Sequence, residues 1–479
     1  MRPNVLFVVL DTARADAFEP YGVAPGSTPT IAQLASSGRA IERAYATACW
    51  TLPSHASMFS GLMPRAAGLA SPNAEGRDPR AVLHAHESRL LPAVLRDAGY
   101  ETRAVSTNLW VSAANGFDAG FDEFISVDSG RQGKLQASGW GERANWAREA
   151  LVARVDDGAT KAEQLLSGWI AERDANQPSF WFVNLVECHS PYLPPRPYND
   201  LGPLERFRAA EDARQYLNMG AIWQACLGAL VVPDGALELM RHLYGRSITL
   251  MDDWLARILT RLDEARALDQ TLVIVTSDHG ENLGENGLMA HAFSLDDRLV
   301  RVPLVVSGPG SERFRDRLTS LAELPARIAA AIGLSSHPWN DDLPRGAAVA
   351  QFNPPVRADD PRVVTARADW DLDESAWARL TTRFDAATDG ALKLVQRDGS
   401  AELYDLRSDP LEASPLPVAA ANGKDASRVE LLRRALDSAA AQAELGDLGL
   451  QDADVAADKP RDDAETQMIE EQMRLLGYL

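Results

Sequence analysis

The stretch Thr47–Gly61, TACWTLPSHASMFSG, concentrates side chains that could act as nucleophiles. It carries the thiol of Cys49 and several hydroxyls, among them Thr51 and Ser54, on either side of Pro53. Proline is favoured in the first turn of a helix, and serine is a common N-terminal cap. The free N–H groups of a helix start hold anions. These residues therefore predict an anion-binding helix start with a reactive group, and they leave open which thiol or hydroxyl reacts.

Three further residues could hold a metal ion beside that helix start. Asp11 follows the apolar run NVLFVVL, and Asp278 and His279 follow the apolar run TLVIV. Two carboxylates and an imidazole suit Zn or Mn better than Ca. A divalent ion next to a hydroxyl lowers the pKa of that hydroxyl and turns it into a nucleophile. The residues predict one divalent metal ion as cofactor.

Buried strands must position these residues. Several continuous apolar runs, alternating with helical segments, end in polar side chains. Such runs are typical of strands buried on both faces of a parallel sheet, so we expect an α/β fold with a mainly parallel sheet flanked by helices. Ligands of such sheets bind beyond the carboxyl ends of the strands. The polar residues that should gather there are Asp11, Asn108, Glu187 with His189, and Asp278 with His279.

The pattern of predicted elements changes towards the C-terminus. We predict a catalytic α/β domain over residues 1–380, with a helical insertion at about 196–245 that could form a wall of the site. Residues 381–479 should form a small C-terminal α+β subdomain, with a hairpin and terminal helices. Its last segment, MIEEQMRLLGYL, has the pattern of an amphipathic helix that docks on the main body.

Bulk composition excludes some classes of function. The net charge of −20 argues against nucleic-acid binding, because phosphates demand a basic surface. The 3 cysteines are too few and too scattered for a disulfide framework. No apolar run approaches the length of about 20 residues that a membrane span needs. We therefore expect a cytoplasmic protein without a membrane partner.

The order of these motifs along the chain resembles the sulfatase family of the alkaline phosphatase superfamily. The resemblance implies an alkaline-phosphatase-like fold and a small anionic ester as substrate. The segments that carry it are NVLFVVLDTARAD, TLPSHASMFSGLMP, LRDAGYETRAVSTN, GFDAGFDEF, HSPYLPP, TSDHGENLGENGLMAHAFSLDDRLVRVPLVV and ELYDLRSDP.

The resemblance implies roles for single positions. Asp11 matches the first metal-binding aspartate, and Asp278 with His279 matches the later metal pair. His189, in HSPY, matches a histidine that contacts the anionic head or the leaving group of the substrate. Asn108 falls where the family often places a polar residue at the edge of the site.

Two positions depart from the family pattern. Thr12 stands where sulfatases usually have a second acid, and His291 stands where a lysine is expected. An imidazole differs from a lysine in charge and reach. Since no acid is assigned by its motif position as a partner of His189 and His291, we predict a single strong metal site, with these two histidines in catalysis.

The resemblance also answers which group reacts. Sulfatases carry Cys or Ser in a C/S-x-P-x-R motif, and that residue is converted to formylglycine. With Pro53 as the reference, Thr51 takes this position and His55 takes that of the arginine. Threonine cannot be converted in this way, so no formylglycine is expected, and Cys49 should be a buried apolar residue. Thr51 is the predicted nucleophile and a fourth metal ligand.

Three hypotheses for the function remain. The first is a metal-dependent hydrolase of a phosphate, phosphonate or sulfate ester that uses Thr51. The second is a transferase that passes the bound group to an alcohol acceptor. The third is a catalytically inactive binding protein. Predicted substrate contacts are Asn108, His55 and Trp50, the last as a possible aromatic wall.

Overall fold

The computed structural model describes residues 2–71, 75–128, 140–153, 155–339, 345–397 and 399–452. Its strands, numbered in chain order, are β1 Asn4–Leu10, β2 Arg39–Ala40, β3 Arg43–Tyr45, β4 Glu101–Ser106, β5 Glu123–Ser126, β6 Ser179–Leu185, β7 Thr271–Thr276, β8 Asn282–Leu283, β9 Met289–Ala290, β10 Arg301–Val302, β11 Leu304–Ser307, β12 Leu318–Ser320, β13 Ala348–Phe352, β14 Phe384–Thr388, β15 Leu392–Arg397 and β16 Ser400–Asp405.

The α-helices are numbered in the same way. They are α1 Pro29–Ser37, α2 Thr51–Ser60, α3 Pro79–Ala85, α4 Leu91–Asp97, α5 Trp140–Val152, α6 Ala159–Glu172, α7 Pro203–Tyr216, α8 Met219–Leu227, α9 Asp234–Glu264, α10 Asp297–Val300, α11 Leu324–Ala331, α12 Pro361–Asp369, α13 Glu374–Thr381 and α14 Gly423–Asp452.

A seven-stranded sheet forms the centre of the molecule, in the order β2-β11-β7-β1-β6-β4-β5. Its strands β7, β1, β6, β4 and β5 run parallel, and β11 pairs antiparallel with β7 and β2. A parallel pair requires a crossover connection, and the helices between these strands provide it. The predicted α/β class with a mainly parallel sheet is confirmed.

Helices cover both faces of this sheet. Alternate residues of β1 enter two hydrophobic clusters, since Leu6 and Val8 belong to one and Val5 and Phe7 to the other. The first cluster contains the apolar sides of α1, α6 and α9, and the second contains those of α2, α4 and α11. Burial on both faces is why the strand is apolar throughout, without the alternation of a half-exposed strand.

A second, four-stranded antiparallel sheet has the order β13-β14-β15-β16, and α14 packs against it. Its first strand comes from residues 348–352, upstream of the predicted hairpin. The segment 196–245 contains α7, α8 and the first part of α9. The sequence MIEEQMRLLGYL lies outside the described residues. Within the described ranges, no helix is both long and apolar enough to cross a membrane.

Candidate active site and metal centre

The register of the parallel strands brings three predicted site residues to one level. Val9 of β1 pairs with Asn184 of β6 and with Thr276 of β7, and Ser106 of β4 also pairs with Asn184. Asp11, Asp278 and Asn108 each stand two residues beyond one of these level positions. The sheet therefore places all three at the same edge, beyond the carboxyl ends of adjacent strands.

Asp11, Asp278 and His279 form a compact group of possible metal ligands. One ligand atom from each lies within 4.8 Å of the others, and all three side chains are buried. Among the described residues, Asp11 Oδ1 and Asp278 Oδ2 have no hydrogen-bond partner. Buried carboxylate oxygens without a donor are costly, and a divalent cation would satisfy both. The residues present fit a metal ion.

The charges at this centre support the same conclusion. Burial raises the pKa of Asp11. Burial and the neighbouring Asp11 carboxylate raise the pKa of Asp278 well above its usual range. Burial and the nearby His291 ring lower the pKa of His279 well below its usual range, so its imidazole is neutral. Two buried acids and a neutral imidazole lack positive charge, which a cation would supply.

Thr51 is the first residue of α2 and lies beside this group. Its Oγ1 is 3.4 Å from His279 Nε2 and 3.4 Å from Asn108 Nδ2. The N-cap position belongs to Trp50, whose side chain makes no cap hydrogen bond. Ser54 lies inside the helix and donates its hydroxyl to the Asp278 carbonyl at 2.6 Å, so the expected serine cap is wrong. Cys49 is buried, as predicted, and burial raises the pKa of its thiol to about 12.

Asn108 connects Thr51, the predicted nucleophile, with the possible metal ligands. Its Nδ2 donates to Asp11 Oδ2 at 2.6 Å and lies 3.4 Å from Thr51 Oγ1. Its Oδ1 accepts the backbone N–H of Trp110 at 2.8 Å. Because an amide has distinct donor and acceptor ends, the Trp110 bond turns the donor end towards Asp11. Trp50 is partly exposed and meets the Trp110 ring edge-on, with 5.4 Å between the ring centroids.

His55 has a different position from the one predicted. Its ring is fully buried between Phe117 and Phe182, with Nδ1 3.0 Å from the Thr51 carbonyl and 3.4 Å from Asp278 Oδ2. Burial lowers the pKa of His55 to about 4, so the ring is neutral. An ester at Thr51 could not reach a fully buried ring. We therefore propose that His55 supports the start of α2 through the Thr51 carbonyl and does not contact the substrate.

The two predicted catalytic histidines stand together next to the metal group. The His291 ring centroid is 5.0 Å from that of His189 and 4.7 Å from that of His279. His189 Nδ1 lies 2.9 Å from the Ser190 carbonyl, which can only accept, so Nε2 is its free nitrogen. The site therefore brings Asp11, Thr51, Asn108, Asp278, His279, His189 and His291 together.

Sequence reasoning missed the partner of His291. Glu281, fully buried, places its Oε1 3.0 Å from His291 Nδ1. Burial alone would lower the pKa of His291, but the Glu281 carboxylate, its hydrogen bond and the Asp11 charge together raise it. A charged residue two positions after His279, in a segment otherwise buried, was the available signal. The direction of the Glu281 side chain depends on how this loop folds, so the sequence alone could not predict it.

Two other residues near the strand ends have local structural roles. Glu187 was expected at the site edge, but its Oε1 accepts the backbone N–H groups of Asp157 and Ala159 at 2.9 and 3.0 Å, at the start of α6. Thr12 adopts a left-handed conformation, with φ 61°, and its hydroxyl donates to the Asp11 carbonyl at 2.7 Å. The Thr12 hydroxyl is thus hydrogen-bonded to the backbone of the preceding residue.

The chain is similar to several known proteins. The profile of the sulfatase family matches residues 3–334. Choline-sulfatase of Rhizobium meliloti (strain 1021) is 26% identical over 450 residues, which cover 87% of this chain and 82% of that protein. The uncharacterized sulfatase YidJ of Escherichia coli (strain K12) is 25% identical over 347 residues, or 65% of this chain. The match spans 64% of YidJ, a little under two-thirds of its length.

A solved structure extends the comparison to the fold. The phosphonate monoester hydrolase of Agrobacterium radiobacter superposes with a TM-score of 0.62 at 21% identity. The superposition covers 92% of this chain and 96% of that one, and at this identity the likeness concerns the fold.

Proposed function

Because the chain belongs to the sulfatase family, we propose that it is a metal-dependent hydrolase of a phosphate, phosphonate or sulfate ester, with Thr51 as its nucleophile. The observation that carries the proposal is the position of Thr51 Oγ1, at the first residue of α2 and 3.4 Å from His279 Nε2. Asp11, Asp278 and His279 would hold one divalent ion, Zn or Mn by their donor set, which lowers the pKa of the Thr51 hydroxyl.

With Thr51 as the nucleophile, the reaction has two chemical steps. Its oxygen attacks the phosphorus or sulfur atom, and the bond to the leaving alcohol breaks. Water then attacks the group on Thr51 and releases it, which returns the hydroxyl. The N–H groups of the first turn of α2 favour the incoming anion. A threonine offers no route to formylglycine, so the loaded group must leave by attack of water.

This requirement favours phosphate and phosphonate esters over sulfate esters. A formylglycine hydrate can expel sulfate by collapsing to the aldehyde, whereas a threonine ester cannot. Phosphoryl groups on enzyme side chains are resolved by attack of water. Choline-sulfatase is named for a sulfate ester, and one structural neighbour is named for phosphonate monoesters. The substrate test therefore includes both classes of ester.

His189 and His291 would act on the ester bound at Thr51. Each has one ring nitrogen occupied by a neighbouring oxygen, so Nε2 is the nitrogen that remains. In the protonated imidazolium form, Nε2 can donate a proton to the leaving oxygen near neutral pH, or hydrogen-bond the non-bridging oxygens. We assign both residues these roles. Asn108 and Trp50 would line the substrate side of Thr51.

The test uses a panel of aryl sulfate, phosphate monoester, phosphate diester and phosphonate ester substrates. We expect Thr51→Ala to lower kcat on the best substrate by on the order of 10³-fold or more, and Thr51→Ser to retain part of the activity. Ser57→Ala is the matched control. Ser57 lies in the same helix, and its buried hydroxyl makes no hydrogen bond among the described residues. This control should keep full activity.

Mass spectrometry of enzyme quenched during turnover identifies the nucleophile directly. A phosphoryl, phosphonyl or sulfuryl adduct on Thr51 supports the proposal. An adduct on Cys49 or Ser54, or full activity of Thr51→Ala, overturns it. Adding an alcohol to the reaction separates hydrolysis from transfer, because a transferase would convert the alcohol into a new ester.

A further inference from the structure

Glu281 and His291 lie at the two ends of a short hairpin. The strands β8 and β9 of this hairpin pair Asn282 with Ala290 and Leu283 with Met289. Glu281 precedes β8 and His291 follows β9, so the pairing of the strands brings the two side chains to the same end. Their Oε1 and Nδ1 atoms are 3.0 Å apart.

Contacts from three other elements hold this hairpin. Arg14 Nη1 lies 2.6 Å from Glu285 Oε1 and donates to the Glu281 carbonyl at 3.2 Å. Cys226 Sγ of α8 lies 3.4 Å from both the backbone N and the carbonyl O of Met289. Arg298 Nε of α10 donates to Asn282 Oδ1 at 3.1 Å. The hairpin is therefore anchored without the Glu281 side chain.

The backbone next to His291 is held in an uncommon conformation. Ala290, which immediately precedes it, has φ 56°, and Phe293 has φ 59°. Left-handed conformations cost free energy for residues with a Cβ atom, and they persist where the surroundings impose them. The chain thus holds His291 in one direction, with its ring against His279 and His189.

The Glu281 carboxylate decides which nitrogen of His291 is available. A carboxylate can only accept hydrogen bonds, so Nδ1 carries the hydrogen and Nε2 remains for other partners. The His291 side chain keeps 11% of its surface exposed, whereas the Glu281 side chain has none. Burying a charged carboxylate is costly, and the contacts described above anchor the hairpin without it.

We propose that Glu281 is a positioning residue, whose carboxylate fixes the ring orientation and tautomer of His291 so that Nε2 faces the ester at Thr51. The inference rests on the proposed function, since it assigns Glu281 a task within that reaction. At metal sites, removing a carboxylate that holds a ligating histidine lowers metal affinity or activity by about 10–100-fold, and we expect an effect of the same order here.

The first experiment is independent of turnover. Histidine labelled with ¹⁵N in the metal-loaded, full-length protein reports the tautomer of His291, with the signal assigned from a His291→Gln variant. At alkaline pH, where the ring is neutral, we expect the Nδ1–H form in the wild type and a shift to the Nε2–H form in Glu281→Leu. Glu163→Gln, which removes a carboxylate paired with Arg257, is the control that should leave the signal unchanged. An Nε2–H tautomer in the wild type overturns the inference, whatever the enzyme hydrolyses.

The second experiment is a double-mutant cycle on turnover. Glu281→Gln keeps the size of the side chain and should lower kcat for poor leaving groups by about 10–100-fold, with KM and metal content little changed. In the His291→Gln background the same substitution should have no further effect, because its partner is already gone. Equal losses in both backgrounds would show a general structural role and overturn the inference. If the wild type hydrolyses no ester, the proposed function fails, and the tautomer experiment still decides the role of Glu281.

Discussion

At the proposed metal centre, protons and a cation would compete for the same atoms. Asp11 and Asp278 have raised pKa values in the metal-free protein, chiefly because they are buried. The Asp11 charge raises the pKa of Asp278 further. A metal ion binds only the deprotonated carboxylates and displaces their protons. Metal affinity should therefore rise with pH, as the competing protons leave.

Replacing one of these carboxylates should remove the metal. We expect Asp278→Asn to weaken zinc binding by roughly 100-fold or more and to abolish turnover, since a neutral amide replaces a charged ligand. Metal content after dialysis and titration calorimetry at several pH values measure both the loss and the expected rise of wild-type affinity with pH.

The control for this change is Asp316→Asn. Asp316 pairs with Arg327 at 2.8 Å and is mostly exposed, so its loss should leave the metal content unchanged. One tightly held ion per chain in Asp278→Asn would contradict the assignment of this residue as a ligand.

At the scale of elements, the end of β6 serves the start of α6. Glu187 Oε1 accepts backbone N–H groups of Asp157 and Ala159, at the open N-terminus of that helix. Burial, followed by the charges of Asp157 and Asp156, raises the pKa of Glu187 to about 8 from an ordinary 4.5. The folded state therefore favours the protonated form of this acid.

The sign of the pH effect follows from that shift. A group whose pKa is higher in the folded than in the unfolded state contributes stability at low pH, and this contribution is lost as pH rises from 4.5 through about 8. Glu187→Gln removes the ionisation, and its amide oxygen can still accept both N–H bonds. We expect the variant to gain stability over the wild type between pH 5 and pH 9, by roughly 2–4 kcal/mol at the upper end.

Thermal unfolding followed across this pH range measures the difference. Glu264→Gln, at an exposed residue paired with Arg261, should show no such divergence. Parallel stability curves for the wild type and Glu187→Gln would contradict a raised pKa at Glu187.

At the scale of the whole molecule, the small antiparallel sheet is tied to the site by a buried ion cluster. Lys393 of β15 is almost fully buried, and its Nζ lies 3.1 Å from Asp297 Oδ1 and 2.9 Å from Glu412 Oε2. Asp297 opens α10, which also carries Arg298. The Leu411 carbonyl accepts hydrogen bonds from Arg298 and from Asn286 of the site hairpin, at 3.0 and 2.9 Å. The small sheet and the segment from the β8–β9 hairpin to α10 therefore support each other.

Removing the lysine should leave two carboxylates without their counter-charge. We expect Lys393→Met to lower the free energy of unfolding by about 3–5 kcal/mol, and the double variant Lys393→Met/Glu412→Gln to lower it by less. Chemical denaturation measures both values.

Arg407→Met provides the comparison for that change. Arg407 pairs with Asp405 and Asp425 on the surface, where an ion pair contributes about 1 kcal/mol or less. A loss as small in Lys393→Met, or an equal loss in the double variant, would contradict a stabilising role for the buried cluster.

The fold class, the family and the group of possible metal ligands could be predicted from the amino-acid sequence. Apolar runs that end in polar residues predict parallel strands buried on both faces, and such strands end at one edge of their sheet. Asp11, Asn108 and Asp278 follow three of these runs, and strand register makes them level. The match of Pro53 to the family motif placed Thr51 beside them. These features depend on local pattern and order, which a sequence contains directly.

The tertiary structure alone decided where side chains beyond the strand ends point. His55 lies on the buried side of α2, against Phe117 and Phe182, because this helix packs against the sheet. Glu187 binds the start of α6, and Glu281 meets His291 across the hairpin. A strand fixes side-chain direction by its two-residue period, whereas the loops that follow take their direction from contacts with residues distant in sequence. Those contacts exist only once the chain has folded.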